Sequence, residues 1–384
     1  MTTLICPHQP SCPGCPRLAA PGLPPEPLAQ LQALAAQAGI APLVVHASPP
    51  TAFRRRARLA VRGRADAPKL GIFEAGSHRA VHIPRCLVHH PVLNHVAVVV
   101  RDTLARHRVP TYSDAAHAGV ARYLQVVIER ESDRAQVTLV TNGSAPAGLE
   151  PLLFDLQSAL GEWLHSLWWN GNPERTNTIL GPHWQHFHGL AHVIDRSGSA
   201  RIFYPPSAFG QSNLDLAMQL AARVRELAAP SARVSEYYAG VGAIGLGLAT
   251  SPNVTHLRLN ELGEGSLAGL TLGIADLPEA ARAKVSLHAG SAGQHAHLVP
   301  ESDLVIADPP RKGLDPALKS QLLATPPERF IYVSCDIHSF TRDSADLAPR
   351  LRLVGLEAYD LFPHTEHLET LAVFERESGI PNQF

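Results

Sequence analysis

Residues 233–245 read RVSEYYAGVGAIG, a strand-like alternation that runs into Ala239, Gly240, Val241, Gly242, Ala243, Ile244 and Gly245, a GxGxxG turn opening a helix. Glycines at this spacing let a backbone approach a nucleoside-bearing ligand closely and let the helix pack against the strand it follows. The same fingerprint asks for an acid at the end of the next strand, about twenty residues on, to accept the ribose hydroxyls. Glu261 ends the segment THLRLNE at that distance. The pair points to a nucleoside-containing cofactor and by itself does not separate a dinucleotide from S-adenosylmethionine (SAM).

Outward from this turn the rhythm is regular. A helix over 214–228 precedes it, and KVSLHA, LVIAD and FIYVSC follow as strands separated by helices, with closing strands around Val354 and Thr370. Strands alternating with helices imply parallel βαβ units and a doubly wound α/β sheet of Rossmann-like type, whose ligand crevice lies outside the carboxyl ends of the strands. The first half differs. Eight prolines between Pro7 and Pro27 exclude regular structure there, a short helix is expected over 28–38, and ARLAVRG, KLGIFEA, RAVHIP, YLQVVIE and AQVTLVT read as strands. Helices are expected over 93–107 and 152–167, with a strand pair between 188 and 203. We therefore expect two domains, an α+β unit over 1–200 and the α/β unit over 201–384.

A chain of 384 residues that is 45% hydrophobic and 17% charged can bury two cores and is not disordered. Its longest apolar run, 92–100, is interrupted by Asn94 and His95, so no membrane span is expected. The start, MTTLICPHQP, lacks a basic stretch followed by an apolar one, which points to a cytoplasmic protein. A monomer is expected. The net charge of −1 hides an asymmetry: residues 1–100 hold ten Lys and Arg against three Asp and Glu, a balance of +7 that leaves −8 for the remainder. Arg54, Arg55, Arg56 and Arg58 head this basic segment, a pattern suited to phosphate neutralisation in RNA or to a solvated strand face.

Three strand ends carry the chemistry. LVIAD delivers Asp308 ahead of Pro309 and Pro310, whose fixed φ stiffens the loop. FIYVS delivers Cys335, the one cysteine of the second half and a candidate nucleophile beside a cofactor crevice. LFPHTEHLETLAVF offers His364, Glu366, His367 and Glu369, of which Glu369 alternates with apolar residues and can face the site.

Taken in order, SAFGQSN, YAGVGAIGLGLA, ADPPRKGL, YVSC and DLFPHTEHLET resemble the SAM-dependent RNA uracil-5-methyltransferases, which form 5-methyluridine. The resemblance spans residues 207–374. It implies that Cys335 adds to carbon 6 of uracil, that Glu369 takes the carbon 5 proton, and that Gln211, Tyr238, Gly240, Gly242, Glu261 and Asp308 line the SAM site. It also bears on the four remaining cysteines. Cys6, Cys12 and Cys15 form C-x5-C-x2-C and Cys86 follows far behind; in a cytosolic chain this suggests a metal site more than disulfides, zinc and an iron-sulfur cluster both remaining open on spacing alone. The family resemblance favours a 4Fe-4S cluster that pins the proline-rich arm onto the RNA-binding domain. A cysteine motif starting at residue 6 leaves no room before it for an oligonucleotide-binding TRAM domain, which favours the shorter members acting on 23S rRNA over those acting on tRNA.

The chain also departs from the family. Asp336 and Ile337 replace the usual Asn-Pro after the nucleophile, and an ionised Asp336 is expected to raise the Cys335 pKa. NELGEGSLAGL and Ser291 differ from the usual acidic pattern around the adenine. Two rival readings follow: a SAM-dependent RNA methyltransferase of altered specificity, and an RNA-binding protein without turnover.

Overall fold

The computed structural model describes residues 4–377 apart from 21 and 41. After a helix at Pro25–Gln37, β1 (Val44–His46) leaves its sequence neighbours and pairs in parallel with the far end of the chain. The strands β2 (Arg56–Arg64), β3 (Ala67–Phe73), β4 (Ala80–His82), β5 (Ala121–Ile128), β6 (Ala135–Thr141), β7 (Leu164–Gly171) and β8 (His183–Gly189) form one seven-stranded sheet in the order 4-3-2-5-6-7-8. Helices Pro91–Arg106 and Glu150–Leu160 share a core with it built on Leu93, Val96, Leu124, Val137, Leu156 and Leu167. The helix expected over 152–167 stops early because Gly161 takes φ 48°, a conformation that suits glycine and turns the chain into β7.

A hairpin of β9 (Val193–Ser197) and β10 (Ala200–Tyr204) leads to the larger sheet. Its strands are β11 (Arg233–Tyr237), β12 (His256–Glu261), β13 (Val285–Ala289), β14 (Leu304–Ala307), β15 (Arg329–Ser334), β16 (Leu351–Tyr359) and β17 (Glu369–Arg376), in the order 1-16-17-15-14-11-12-13. Strands β11 to β15 are mutually parallel, whereas β17 lies antiparallel between β15 and β16. Both faces are covered. Helix Leu214–Ala228 and the β9–β10 hairpin share one core with the sheet, while helices Pro25–Gln37, Pro316–Ala324 and Ile337–Leu347 share the other through Leu31, Leu318 and Phe340. The first helix and β1 thus build onto the larger sheet although they precede the whole seven-stranded sheet in sequence.

The unusual NELGEGSLAGL segment has a packing explanation. Gly265, Gly269 and Gly273 stand four apart on helix Glu264–Asp276, which puts them on one face. A Cβ at Gly269 would come within 2.3 Å of the Phe203 carbonyl oxygen, and one at Gly265 within 2.6 Å of the Ser207 backbone. The stripe lets the helix lie directly on β10 and on the loop after it. Gly269→Ala is therefore expected to destabilise the protein by about 1–3 kcal/mol through overpacking, read as a lower unfolding midpoint in urea; an unchanged midpoint would show that the helix can shift freely.

Candidate active site

From β11 the chain winds to β12 and β13 on one side and to β14 and β15 on the other, so the switch point lies between β11 and β14. This is where a doubly wound sheet opens its ligand crevice. Tyr237 pairs with Ala307, which sets Tyr238 and Asp308 side by side at the mouth. Tyr238 leaves the strand with φ 62°, and its hydroxyl accepts a hydrogen bond from the Asp315 N–H at 3.0 Å. Gly240 (φ 59°) and Gly242 (φ 87°) make the turn. The Gly240 N–H donates to Glu261 Oε2 at 2.7 Å, and Leu262 and Gly263 N–H donate to Oε1 at 2.9 and 2.6 Å. Glu261 therefore ties the glycine turn to the end of β12. A carboxylate offers roughly four acceptor directions, so one remains for a ribose hydroxyl rather than two.

The candidate reacting groups meet one strand further on. Ser334 pairs with Thr370 across β15 and β17, so the next residues out are Cys335 and Glu369. Glu369 is 1% exposed, and neither of its carboxyl oxygens has a hydrogen-bond partner. Burial, and then the charge of Asp308, hold its pKa well above the carboxylate range, while Arg311 pulls the other way. Asp308 is pushed up to about 7 by loss of water. Cys335 is pushed up to about 11 by burial, Glu369 and Asp308, again against Arg311. A cysteine, two carboxyl groups and one arginine thus sense each other at the end of three adjacent strands, and a buried carboxyl without partners is costly unless a ligand supplies them.

Asp336 corrects one expectation. Its Oδ1 accepts the Ser339 N–H at 2.9 Å as the N-cap of helix Ile337–Leu347, and the upward shift of Cys335 comes from burial and the two carboxyl groups instead. The basic segment corrects another. Arg56 is 7% exposed and donates to the Ala208 carbonyl at 2.5 Å; Arg54 Nη1 donates to Ser212 Oγ at 3.0 Å; Arg55 bridges Asp133 and Asp215. These three do not form an open phosphate strip, because a guanidinium's donors are best satisfied by the carbonyls and carboxylates the folded chain presents. They hold the loop 207–213, which carries Gln211. Arg58 is exposed on β2 and donates to Gln125 Oε1 at 2.8 Å.

Cys6, Cys12, Cys15 and Cys86 line one cavity of about 190 Å³ together with Arg54, His8 and His89. None of the four forms a disulfide. Burial raises Cys12 and Cys86, and raises Cys15 to about 11, with repulsion from neighbouring sulfurs adding to the shift. Among the described residues, no three His, Cys, Asp or Glu side chains converge tightly enough to hold a single metal ion.

The sequence pattern of the tRNA (Uracil-5-)-methyltransferase family matches residues 300–377, the stretch that contains Asp308, Cys335 and Glu369. A chain from Protochlamydia amoebophila described as an uncharacterized RNA methyltransferase is 35% identical, covering 97% of this chain and 98% of that one. The chain belongs to the RNA uracil-5-methyltransferase family. A Geobacter sulfurreducens relative, also described as an uncharacterized RNA methyltransferase, is 28% identical over 84% of this chain and 65% of its own. The Pyrococcus abyssi tRNA (uracil-54, C5)-methyltransferase, solved with S-adenosyl-L-homocysteine, shares the fold with a TM-score of 0.76 at 23% identity, over 95% of this chain and 86% of that one.

This RNA uracil-5-methyltransferase family member is a SAM-dependent enzyme whose crevice contains residues that sequence reasoning passed over. Arg311 sits inside the quoted ADPPRKGL segment, but only the fold reveals that its charge reaches both Cys335 and Glu369. Glu236 is buried beneath the glycine turn with Oε2 unpartnered, and a Cβ at Gly245 would fall 1.9 Å from that oxygen. The acid before a glycine-rich turn was legible as a signal; its burial was not. No helix among the described residues is long and apolar enough to cross a membrane.

Proposed function

We propose that the enzyme methylates carbon 5 of a uridine in RNA, with 23S rRNA as the substrate, through a covalent adduct between Cys335 and carbon 6. The observation that carries this reading is Glu369: a carboxyl buried to 1%, both oxygens unpaired, next to Cys335 across an antiparallel strand pair. Carbon 5 of uracil is not nucleophilic enough to accept a methyl group. When the Cys335 sulfur bonds to carbon 6, the electron pair moves to the carbon 4 oxygen and carbon 5 becomes an enolate carbon. Bound SAM supplies the methyl group. Glu369 then takes the carbon 5 proton, the double bond re-forms, and the Cys335 sulfur leaves. A base must leave its stack to reach this depth, so the uridine is flipped out of an RNA loop. Asp308, poised near neutrality and electrostatically linked to Cys335, is suited to receive the thiol proton.

Turnover in this scheme needs two deprotonations that the resting site disfavours. Cys335 must lose a proton held up to about 11, and Glu369 must be ionised although it is held well above its ordinary range. Both act deprotonated, so kcat/KM is expected to rise with pH through neutrality instead of levelling off just above the ordinary carboxylate range. Arg311 favours both charged forms. Arg311→Ala should therefore move this rise to higher pH and lower the rate at pH 7 by roughly tenfold, with Arg311→Lys restoring part of it; a profile that does not move rejects the electrostatic role.

We further propose that the four-cysteine cavity holds a 4Fe-4S cluster rather than zinc. The support is the family resemblance together with the fold, which brings Cys86 to the same cavity as Cys6, Cys12 and Cys15 and so gathers four sulfur donors from distant parts of the chain. Cys6, Cys12, Cys15 and Cys86 would bind as thiolates, and the cluster would serve to anchor the arm. Arg58, exposed on β2, is the member of the basic segment suited to an RNA phosphate. Asp336 caps a helix and Ile337 is buried in it, a local structural role for the two residues that depart from the family pattern. Mass-spectrometric mapping of 5-methyluridine in rRNA and tRNA from cells with and without the gene tests the proposal. Loss at one 23S position is the expected result, and loss in tRNA alone would reassign the substrate.

A further inference from the structure

The cysteine-bearing arm touches the loop that leads to Glu369, and the cavity its cysteines line is joined through Arg54 to the loop that carries Gln211. Arg17, two residues after Cys15, donates its backbone N–H to the His364 carbonyl at 3.0 Å and places Nη1 3.5 Å from Glu366 Oε1. His364 adopts φ 67° and its Nε2 donates to the Pro50 carbonyl at 2.6 Å. The segment so held runs directly into Glu369. On the other side, Arg54 lines the four-cysteine cavity, donates its backbone N–H to Val88 two residues from Cys86, and reaches Ser212 Oγ with Nη1. The Arg55 N–H adds a 2.7 Å bond to the Ser212 carbonyl, and Ser212 is the neighbour of Gln211.

We propose that Arg17 and Arg54 make the cysteine arm a two-ended strut, Arg17 positioning the loop that leads to Glu369 and Arg54 positioning the loop that carries Gln211. Neither arginine is a catalytic residue. The strut connects the state of the cysteines, far from the chemistry in sequence, to the geometry of the methyl-donor and base-bearing loops. Rigid packing transmits such a constraint because a loop hydrogen-bonded at its centre has few alternative positions. Opening the arm, by loss of what the cysteines hold or by their oxidation, would then loosen both loops together.

The inference rests on the methyl-donor reading only for its binding readout, so two measurements are paired. Hydrogen–deuterium exchange on the full-length protein as isolated reports the loops themselves, and calorimetric binding of S-adenosyl-L-homocysteine reports the site. Arg54→Met is expected to speed exchange across 207–213 and to weaken S-adenosyl-L-homocysteine binding about tenfold, with visible absorption, iron content and the unfolding midpoint close to wild type. Arg54→Lys should restore part of the protection. Cys86→Ser, opening the arm at its far ligand, should speed exchange in both 207–213 and 361–368. Wild-type protection of 207–213 in Arg54→Met, or of both loops in a folded Cys86→Ser, overturns the strut. Failure of the wild type to bind S-adenosyl-L-homocysteine would instead reject the methyl-donor reading, and the exchange data would still decide the strut.

Discussion

Cys335→Ala is expected to abolish methyl transfer, with a loss on the order of 10⁴-fold or more, while the fold is retained. The prediction is this large because Cys335 supplies the thiol of the site, while the proposed scheme uses Glu369 and Asp308 for proton transfer and Arg311 as a cation that favours the charged forms of Cys335 and Glu369. The substitution removes a half-buried thiol at a strand end, so stability should change little. RNA carrying 5-fluorouridine gives a direct reading. Fluorine at carbon 5 cannot leave as a proton, so wild-type protein with SAM should stay bonded to the RNA as a species that survives denaturation, and Cys335→Ala should form none. A stable adduct in the variant would show that another residue is the nucleophile.

Glu369→Gln should separate the two halves of the reaction. Adduct formation and methylation of carbon 5 need Cys335, whereas release needs a base, so the variant should accumulate covalent RNA on the natural substrate. Turnover should fall by about 10²–10⁴-fold, the usual worth of a positioned general base. Wild-type turnover in the variant would remove Glu369 from the mechanism. The same change has a second readout in stability. A carboxyl whose pKa is raised by folding binds a proton in the native state that the unfolded chain has lost, so native stability falls as pH rises from the ordinary carboxyl range toward the raised value. Glutamine cannot titrate. Its variant should therefore lose less stability than wild type between pH 5 and pH 8, an approximate window set by the unfolded carboxyl pKa, and it should be the more stable of the two at the upper end. Such a gain in stability with loss of activity is what a strained, ligand-seeking carboxyl should show.

Much of the catalytic sheet was open to reading from the chain alone. The strand RVSEYY, the glycine turn, the helix over 214–228 and the strand ends at Glu261, Asp308 and Cys335 all lie where their patterns placed them. Buried parallel strands are short apolar runs bounded by turn residues, and that signal is local. The helix over 152–167 was overextended because apolar spacing continues through Leu164 and Leu167, while Gly161 turns the chain for β7 to join β6. A strand's partner is a non-local fact, and the helical and strand readings of a short apolar segment differ mainly in what they pack against.

The arginine run shows the limit on the functional side. Four arginines in five residues read as a phosphate contact, yet Arg56 is buried against Ala208 and Arg54 spans from the cysteine cavity to Ser212. Nothing local distinguishes an arginine that faces RNA from one that holds a loop more than a hundred and fifty residues away. Likewise, residues 25–46 supply a helix and an edge strand to a sheet otherwise built after residue 232, an exchange with no trace in local propensity.

By itself, then, the sequence determined which residues could do chemistry: a glycine turn with its acid, an aspartate held by prolines, a strand-end cysteine, and a glutamate at the start of the last strand. Residue type and local spacing suffice for that, because nucleophilicity, acidity and turn formation belong to the residue and its immediate neighbours. Only the tertiary structure decided that Glu369 stands across from Cys335 with both oxygens unsatisfied, that Asp336 caps a helix, that the charge of Arg311 reaches both groups, and that Arg54 and Arg17 bond to Ser212 and His364. Burial and charge coupling depend on distances between groups remote in the chain, and folding alone sets those distances.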